Sequence, residues 1–372
     1  MKKGHYVALA ATVAGLFALA ACGGGYGGGS GGGSYSSSSS SSSMTGYSAS
    51  ALAGDQAAPG VNLDANLVNG WGLAFNPLGF VWVADNGTNK TSLYDGNGVT
   101  QSAVISVSPG LAGPAAPTGI VFNDSLTNFR MTSGGVTAPA QFIYAGEAGT
   151  IAGWSPAINP PLALTLVDGA TLGSVYKGLA IITGTVNRLY AADFHNNRID
   201  IFDTNFARVA LAGAFNDPAL PAGYAPFNVQ AINGQLYVAY AKTTAGSDDE
   251  TAGAGLGYVD VFTSDGVLVK HLISGGALNA PWGLAMAPAN FGSFSNDLLV
   301  GNFGDGKINV YDPTTGTMVG TLSKGDGTAI VIPGLWGISF GDGVATRPAN
   351  TLFYTAGPGN EAHGAFGRID MH

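Results

Sequence analysis

Residues 71–96 read WGLAFNPLGFVWVADNGTNKTSLYDG. The stretch contains three apolar runs, Trp71–Phe75, Val81–Asp85 and Thr91–Tyr94, in which large apolar residues alternate with small or polar ones. A two-residue period is typical of β-strands, and the Asn86-Gly87 pair between the second and third runs is typical of a tight turn. The segment therefore predicts a unit of consecutive β-strands.

Five further segments repeat this theme along the chain. The opening strand of the first copy is marked by Gly72, and the markers of the later copies are Gly119, Gly178, Asn228, Gly283 and Gly337. Successive markers lie 47 to 59 residues apart, whereas propeller blades commonly span about 40–50 residues, so we assign the excess to loops. The repeats predict an all-β fold, a six-bladed β-propeller.

The repeats also predict how the ring closes. The first five copies each contain a fourth apolar run, but the sixth copy lacks one because the chain ends at His372. Tyr47–Ala53, which precedes the first copy, is predicted to complete the last blade and so remove an exposed sheet edge. The propeller is expected to form one domain, residues 47–372. The predicted fourth strands are Gln101–Val107, Leu162–Val167, Arg208–Ala212, Leu268–Ile273 and Met318–Leu322.

The N-terminal residues predict targeting. Lys2 and Lys3 precede an apolar run, Tyr6–Leu19, that is shorter than the about 20 residues a membrane-spanning helix needs. The run ends in Leu19-Ala20-Ala21-Cys22, which resembles a bacterial lipobox, and Cys22 is the single cysteine. We expect residues 1–21 to be a lipoprotein signal peptide and Cys22 to be lipidated; the alternative is an ordinary secretory signal with an incidental cysteine.

Residues 22–46 begin with Cys22 and are otherwise almost entirely Gly and Ser. Such a composition predicts a flexible tether that holds a folded domain away from a membrane. The expected location is the bacterial cell envelope, as an outer-membrane lipoprotein attached through its lipid anchor.

Composition excludes several classes of function. The chain has a formal net charge of −9 with 14 Lys and Arg residues, which argues against nucleic acid, since nucleic-acid binding depends on neutralising phosphates. A single cysteine excludes internal disulfides and thiolate metal clusters. Gly301–Lys307 resembles a phosphate-binding loop, but Ile308 stands where Ser or Thr is required, so we predict a turn between strands.

The ends of the second strands of a propeller converge on one mouth of its channel. Carboxylates and amides collected there suit Ca²⁺, the candidate cofactor, or a general base; the alternative is that these residues only cap turns. His363, beside Glu361 in a loop of the sixth copy, is a further candidate. The candidate binding residues at strand ends are Asp85, Asn86, Glu147, Asp193, His195 and Asn302.

Two further features of the sequence bear on function. Trp71, Trp282 and Trp336 occupy equivalent places in three copies. Core packing is the expected role, and lining a mouth that binds carbohydrate or peptide is the alternative. The acidic triplet 248–250 is expected to be a solvated loop tip.

Several short sequence motifs resemble those of one family: Asp85–Thr88, Tyr176–Ala180, Ala191–Asn196, Ala225–Val229 and Glu361–Gly367. The chain resembles, from Asn69 to Asp370, an uncharacterised group of bacterial secreted proteins similar to NHL-type six-bladed propellers. That group has no established activity to transfer. Six-bladed propellers of this wider kind include calcium-dependent lactonases, lyases and interaction modules, and the fold alone does not choose among them.

The lactonases of that wider class hold one metal with a Glu, two Asn and an Asp from different blades. The corresponding metal ligands in this chain would be Glu147, Asn228, Asn302 and Asp193, although the motifs around these residues do not match those of the lactonases. The activity is therefore not transferred.

Three functions remain open from the sequence. The first is a monomeric, lipid-anchored propeller without catalytic activity that binds a protein, peptide or glycan at its channel mouth or side loops. The second is a metal-dependent hydrolase or lyase that uses carboxylates of the channel. The third is a structural protein of the envelope with no small ligand. Metal ligands converging on one point, or a base beside a closed pocket, would favour the enzyme.

Overall fold

The computed structural model describes residues 46–372 except for Leu78, Asn159, Pro160 and Thr185. The predicted signal peptide, the lipidation of Cys22 and nearly all of the tether fall outside these residues. Helical structure in the described part comprises the short 3₁₀ turns Asn86–Thr88, Ala170–Leu172 and Gly292–Phe294. None of the described helices is long and apolar enough to be a candidate membrane span.

The strands fall into six consecutive groups. Strands β1 (Tyr47–Gly54) and β2 (Asn62–Leu63) precede group one, which comprises β3 (Gly70–Phe75), β4 (Val81–Asp85), β5 (Lys90–Tyr94) and β6 (Ile105–Val107). Group two comprises β7 (Pro117–Phe122), an inserted hairpin of β8 (Arg130–Ser133) and β9 (Val136–Pro139), then β10 (Phe142–Gly146), β11 (Thr150–Trp154) and β12 (Leu162–Asp168). Group three comprises β13 (Tyr176–Ile182), β14 (Arg188–Asp193), β15 (Arg198–Phe202) and β16 (Arg208–Val209).

The C-terminal half continues the pattern. Group four comprises β17 (Tyr224–Ile232), β18 (Gln235–Thr243), the short β19 (Glu250–Thr251), β20 (Tyr258–Phe262) and β21 (Leu268–Ser274). Group five comprises β22 (Pro281–Met286), β23 (Leu298–Asn302), β24 (Ile308–Tyr311) and β25 (Met318–Thr321). Group six comprises β26 (Leu335–Phe340), β27 (Leu352–Ala356) and β28 (Ala365–Met371).

The molecule is all-β and propeller-like, but its sheets do not separate into six independent blades. Groups three, four and five each form their own sheet. Groups one and two form one eight-stranded sheet, because β6 pairs in parallel with β12 at Ser106 and Leu162. The expectation of six separate blades is therefore met only in part: the outer edge of group one is bonded to its neighbour instead of ending freely.

The predicted pairing of the two chain ends is present. Strand β1 runs antiparallel to β28, in register from Tyr47 opposite Met371 to Gly54 opposite Ala365. It is the fourth strand along from β26 in that sheet, since the order is β26, β27, β28, β1 and β2. The phenol of Tyr47 is buried and donates a hydrogen bond of 3.0 Å to the Phe291 carbonyl. Tyr47 thus anchors the N-terminal strand to the core.

The first strands of the groups pack side by side around a common centre. Each of β3, β7, β13, β17, β22 and β26 contacts the next, and β26 contacts β3. The repeated glycine of these strands permits this approach. A Cβ at Gly119 would lie 2.4 Å from the backbone nitrogen of Leu179, and one at Gly72 would lie 2.6 Å from the Thr118 carbonyl oxygen. The glycine content in these strands therefore reflects close packing, as predicted.

Candidate functional site

Three tryptophans from the first strands meet at the centre of the strand ring. Trp71 and Trp336 stack with ring centroids 3.5 Å apart, and Trp282 lies edge-on to both at 5.9 Å. All three are buried, together with Phe194 and Phe227. The prediction that they pack in the core is confirmed. We call these five residues the aromatic plug.

Little space remains between the first strands themselves. The cavity there has a volume of about 40 Å³ and is lined by Gly72, Gly119, Asn228, Gly283 and Gly337 among others. A volume of this size accommodates a few water molecules at most. A larger ligand would therefore have to bind at a mouth of the channel and not within it.

A network of polar side chains covers one side of the plug. The indole Nε1 of Trp336 donates to Asn69 Oδ1 at 2.9 Å, and that of Trp282 donates to the Lys177 carbonyl at 2.9 Å. Asn69 Nδ2 in turn donates to Glu361 Oε2 at 2.7 Å and to Asn86 Oδ1 at 3.2 Å. The plug and the polar network thus hold each other in place. We call this side of the molecule the polar mouth.

The network is centred on an ion pair. Lys177 Nζ lies 2.5 Å from Glu147 Oε1, and Asn86 Nδ2 donates to Glu147 Oε2 at 3.0 Å. The Lys177 side chain is 2% exposed and its ammonium lies 5.2 Å from the centroid of Trp71. Burial alone would lower the pKa of Lys177, but the charge of Glu147 raises it above the usual value. The lysine is therefore charged and neutralised by one carboxylate.

Further carboxylates surround this pair. Burial raises the pKa of Glu361 above its usual value. Burial likewise raises the pKa of Glu250 to about 7, against the attraction of Lys177. Asp249 is 82% exposed, and its Oδ1 lies 3.8 Å from Lys177 Nζ. Four carboxylates consequently share one ammonium group, which gives the polar mouth an excess of negative charge.

The structure brings two of the predicted mouth residues together, Asn86 and Glu147. Asp85 instead is fully buried and accepts a hydrogen bond of 2.7 Å from Ser92 Oγ, and burial raises its pKa well above the usual value. Asp193 is also fully buried and accepts hydrogen bonds from the Val175 amide and from Asn196. These two aspartates connect strand ends within their own groups.

The remaining candidates bond to separate partners. Asn302 is fully buried and donates to the Ala277 carbonyl and to Asp305. His195 Nδ1 lies 2.6 Å from Asp248, with both side chains about half exposed. His363 Nδ1 lies 2.9 Å from Asp55 Oδ2.

The four residues compared with the metal ligands of lactonases, Glu147, Asn228, Asn302 and Asp193, form hydrogen bonds with separate partners and not with one another. Glu147 bonds to Lys177 and Asn86, and Asn228 donates to the Trp282 carbonyl while its Oδ1 accepts from the Val229 amide. Asp193 and Asn302 bond as described above. Calcium binding by this set stays a prediction.

Sequence reasoning missed the residues that complete the network, Asn69, Lys177 and Glu361. One signal was available, because Lys177 is the single basic residue in the six opening strands of an otherwise apolar pattern. The expectation of a solvated tip at residues 248–250 suits Asp248 and Asp249, which are 52% and 82% exposed. It is wrong for Glu250, which is only partly exposed and belongs to β19.

Two open cavities border the polar mouth. One has a volume of about 350 Å³ and is lined by Phe194, His195, Tyr224, Thr244 and Asp248 among others. The other has a volume of about 410 Å³, and Phe303, Asp305, Pro333, Gly357 and Asn360 contribute to its wall. Both have the volume of small-molecule or peptide side-chain sites.

This fold and this mouth define a propeller-like protein with a plugged channel. Two uncharacterised proteins of Acanthamoeba polyphaga mimivirus are similar to it in sequence. One is 32% identical over 335 residues, covering 88% of this chain and 80% of that protein. The other is 35% identical over 288 residues, covering 74% of each. The chain belongs to the family of these mimivirus proteins, and the expectation of a bacterial family is wrong, because these curated relatives are viral. No family model matches the chain.

Solved structures agree on the fold alone. A protein of unknown function from Bacteroides thetaiotaomicron has a TM-score of 0.55 and 10% identity, covering 88% of this chain and 77% of that one. An auxiliary nutrient binding protein from the same organism has a TM-score of 0.54 and 11% identity over the same shares.

Proposed function

We propose that this protein is a binding module without catalytic activity, and that its ligand binds the polar mouth through a cationic group such as a lysine or arginine side chain of a peptide. One observation supports this most directly. The buried ammonium of Lys177 lies 2.5 Å from Glu147 and is neutralised there, while Glu361, Glu250 and Asp249 remain around it. A ligand cation would neutralise these carboxylates.

The charges at the polar mouth favour a cation over an anion. The positive charge of Lys177 lowers the pKa of both Glu361 and Glu250, whereas neighbouring carboxylates raise the pKa of each. The two flanking cavities offer apolar contacts from Phe194 and Phe303 beside this charge. A peptide with alternating basic and apolar side chains has the complementary chemistry.

The shape of the site supports binding more than chemistry. The plug fills the centre, and the cavities beside it are open instead of enclosing a reacting group. The similar fold of an auxiliary nutrient binding protein is compatible with a binding role, although at 11% identity it supports the fold and not the ligand.

The second candidate is a hydrolase or lyase acting at the same mouth. Glu250 favours it, because a carboxyl with a pKa of about 7 is suited to act as a general base at neutral pH. This candidate requires turnover of a substrate, and the binding module requires none.

The binding proposal is tested with the full chain and three labelled probes: octalysine, octaglutamate and a neutral oligosaccharide. Fluorescence anisotropy at low ionic strength should show octalysine binding that weakens at about 0.5 M salt, where charges are screened within about 4 Å. The double variant Asp249→Asn/Glu361→Gln should weaken octalysine binding at least about tenfold, a loss of about 1.4 kcal/mol.

The matched control removes two exposed carboxylates elsewhere, with Asp124→Asn and Asp326→Asn. It makes the same change in net charge but should leave binding within about twofold. Equal loss in both double variants, or preference for octaglutamate or the oligosaccharide, would contradict the cationic-ligand proposal.

We further infer that the eight-stranded sheet comprises two blades, which gives six in all. The inference is supported by the six first strands, each of which contacts the next around the centre, and by the weak link between groups one and two, which is a two-residue parallel pairing. A crystal structure in which groups one and two form a single blade of the ring would overturn this count.

A further inference from the structure

A second cluster of charged residues lies between groups three and four. Asp217 belongs to the loop that joins β16 to β17, and Asp260 and His271 belong to β20 and β21. His271 Nδ1 lies 2.6 Å from Asp217 Oδ2 and 2.9 Å from Asp260 Oδ1. One imidazole nitrogen thus faces two carboxylates.

Both carboxylates are removed from solvent. The side chains of Asp217 and Asp260 are 1% and 0% exposed, whereas His271 is 25% exposed. A protonated imidazole supplies a single positive charge, so the cluster retains one negative charge even then.

The equivalent position in group three shows how such a buried aspartate is normally neutralised. Asp200 pairs with Ala191 of β14 as Asp260 pairs with Val238 of β18. Asp200 lies 2.8 Å from Arg198 Nε and 2.7 Å from Arg208 Nη2, and it accepts a hydrogen bond of 2.8 Å from Tyr176 Oη. Two guanidinium groups therefore neutralise the Asp200 carboxylate. Among the described contacts of Asp260, no Lys or Arg plays this role.

A second observation points to a missing partner. Apart from the 2.9 Å contact of Oδ1 with His271 Nδ1, neither carboxylate oxygen of Asp260 has a hydrogen-bond partner among the described residues, and the Tyr240 hydroxyl has none either. Both residues are almost fully buried. Unpaired buried groups of this kind are costly and ordinarily have a partner.

We propose that Asp217, Asp260 and His271 bind a divalent first-row transition metal ion, such as Zn²⁺ or Mn²⁺, between groups three and four. All three supply a ligand atom, and these atoms lie within 4.8 Å of one another. Imidazole nitrogen with carboxylate oxygen is a donor set for Zn²⁺ and Mn²⁺, whereas Ca²⁺ prefers oxygen alone.

The surroundings of His271 suit the ligand role. Its Nε2 lies 2.7 Å from Ser274 Oγ, so an Nε2 proton donated to the serine directs the lone pair of Nδ1 toward both carboxylates. Metal-bound histidines typically have such a partner for the other ring nitrogen. Ligand bonds of about 2.0–2.2 Å separate neighbouring donor atoms by roughly 3 Å, which the 2.9 Å contact matches and the 2.6 Å contact would reach after a small shift.

The ion would join two sheets. Asp217 lies on the connection that leaves group three, and its Oδ1 accepts a hydrogen bond from the Ala219 amide, which orients the carboxylate. Asp260 and His271 are paired with each other across β20 and β21. A metal bound by all three would fix the connecting loop against group four, so its effect should appear in stability.

The test uses the untagged full chain, stripped of metal with chelator and then supplied with Zn²⁺ or Mn²⁺ alone. We expect one metal ion per chain by elemental analysis after gel filtration, and a thermal midpoint raised by roughly 5 °C at a hundredfold excess over Kd. His271→Ala and Asp260→Asn should each lower the stoichiometry below about a tenth.

The matched control is His363→Ala, which removes the imidazole of another histidine–aspartate pair and should keep one metal ion per chain. If the variants do not fold, the wild-type protein alone can test the proposal. Co²⁺ bound by nitrogen and oxygen ligands in a closed site gives visible absorption bands, and excess Zn²⁺ should abolish them. Absence of stoichiometric metal in the wild type, or loss of metal in His363→Ala and not in His271→Ala, would overturn the proposal.

Discussion

Lys177 Nζ lies 2.5 Å from Glu147 Oε1 and 5.2 Å from the centroid of the Trp71 ring. The two contacts link the ion pair at the centre of the polar network to the aromatic plug beneath it. Because the lysine is 2% exposed, its charge depends on Glu147 instead of water. The pair that anchors the polar network to the plug is therefore also the one on which the proposed binding site depends.

Replacement of Lys177 by Met should be strongly destabilising. It leaves the Glu147 carboxylate without its cation, and loss of one partner of a buried pair costs about 3–5 kcal/mol. Denaturant unfolding measures the change. The double variant Lys177→Met/Glu147→Gln should recover at least half of the loss, because the carboxylate in direct contact with the lysine is then neutral as well.

A matched control for this pair is Lys307, which lies 3.3 Å from Asp305 but is 43% exposed. Lys307→Met should lower the free energy of unfolding by less than about 1 kcal/mol. An equal cost at the two lysines would show that burial is not what makes the Lys177–Glu147 pair important.

The two stacked tryptophans should respond differently to the same substitution. Trp336 donates to Asn69 Oδ1 at 2.9 Å, whereas the buried Nε1 of Trp71 makes no hydrogen bond in the described structure. Both changes to Phe remove similar ring volume. Trp336→Phe should therefore cost about 1–3 kcal/mol more than Trp71→Phe, because it leaves the Asn69 oxygen unsatisfied. Unfolding midpoints in denaturant measure the difference, and equal costs would contradict a stabilising role for the indole–Asn69 bond.

The fold was more accessible from sequence than the site. Alternation and glycine spacing report on local pairing and close approach, so the first strands and the pairing of β1 with β28 could be predicted. The merging of groups one and two could not, because it depends on where the short β6 meets β12 in space. Similarly, Asp85 stands at a strand end like Asn86, yet it is buried beside Ser92 while Asn86 reaches Glu147.

The residues of the polar network could not be identified from the sequence for a related reason. Asn69, Lys177 and Glu361 come from three different groups and meet only because the first strands surround one centre. No spacing along the chain encodes that contact. The lysine stood out in its strand, but a single unusual residue does not name its partner.

Glu250 should make stability depend on pH. Burial raises its pKa to about 7, above the ordinary value of 4.5. Between pH 4.5 and pH 7, the carboxyl is therefore protonated in the folded state and ionised in the unfolded state. The resulting stabilisation is complete below about pH 4.5 and is lost as pH rises through 7. Glu250→Gln keeps a neutral side chain, and it should exceed the wild type in stability at pH 8 by about 1–2 kcal/mol, after allowance for partial exposure.

Unfolding curves at pH 5 and pH 8 check this expectation. The advantage of Glu250→Gln should shrink at pH 5, where the wild-type carboxyl is also protonated. Asp248→Asn, on the exposed side chain next to His195, is the control and should show no comparable change. A constant difference between wild type and Glu250→Gln at both pH values would contradict the raised pKa.

Membrane attachment is a separate prediction from the sequence. If Leu19–Cys22 acts as a lipobox, the full chain produced in a bacterial host should incorporate labelled palmitate and fractionate with membranes. Cys22→Ser should lose both properties, since it removes the single cysteine. Ser30→Ala, in the same Gly/Ser-rich segment, should lose neither. Soluble, unlabelled wild-type protein would refute the anchor and leave the folded domain unaffected.

Deletion of β1 should show whether the N-terminal strand is essential. Strand β1 is in register with β28 from Tyr47 to Gly54, and the Tyr47 ring lies 4.9 Å from that of Phe291 and 5.9 Å from that of Phe294. A chain that begins at residue 55 would expose the edge of β28 and open the core under Tyr47. Exposed strand edges recruit other strands, so this chain should aggregate or fail to fold.

A chain that begins at residue 46 is the control, since it removes only residues before β1 and should remain monomeric in size-exclusion chromatography. A synthetic peptide of residues 46–56, added in trans, should restore a soluble species to the shorter chain by pairing with β28. Hydrogen exchange at the amides of β28 would locate that pairing. A shorter chain that stays monomeric and as stable as the control would mean that β26–β28 form a complete sheet by themselves and that the pairing of the chain ends is dispensable.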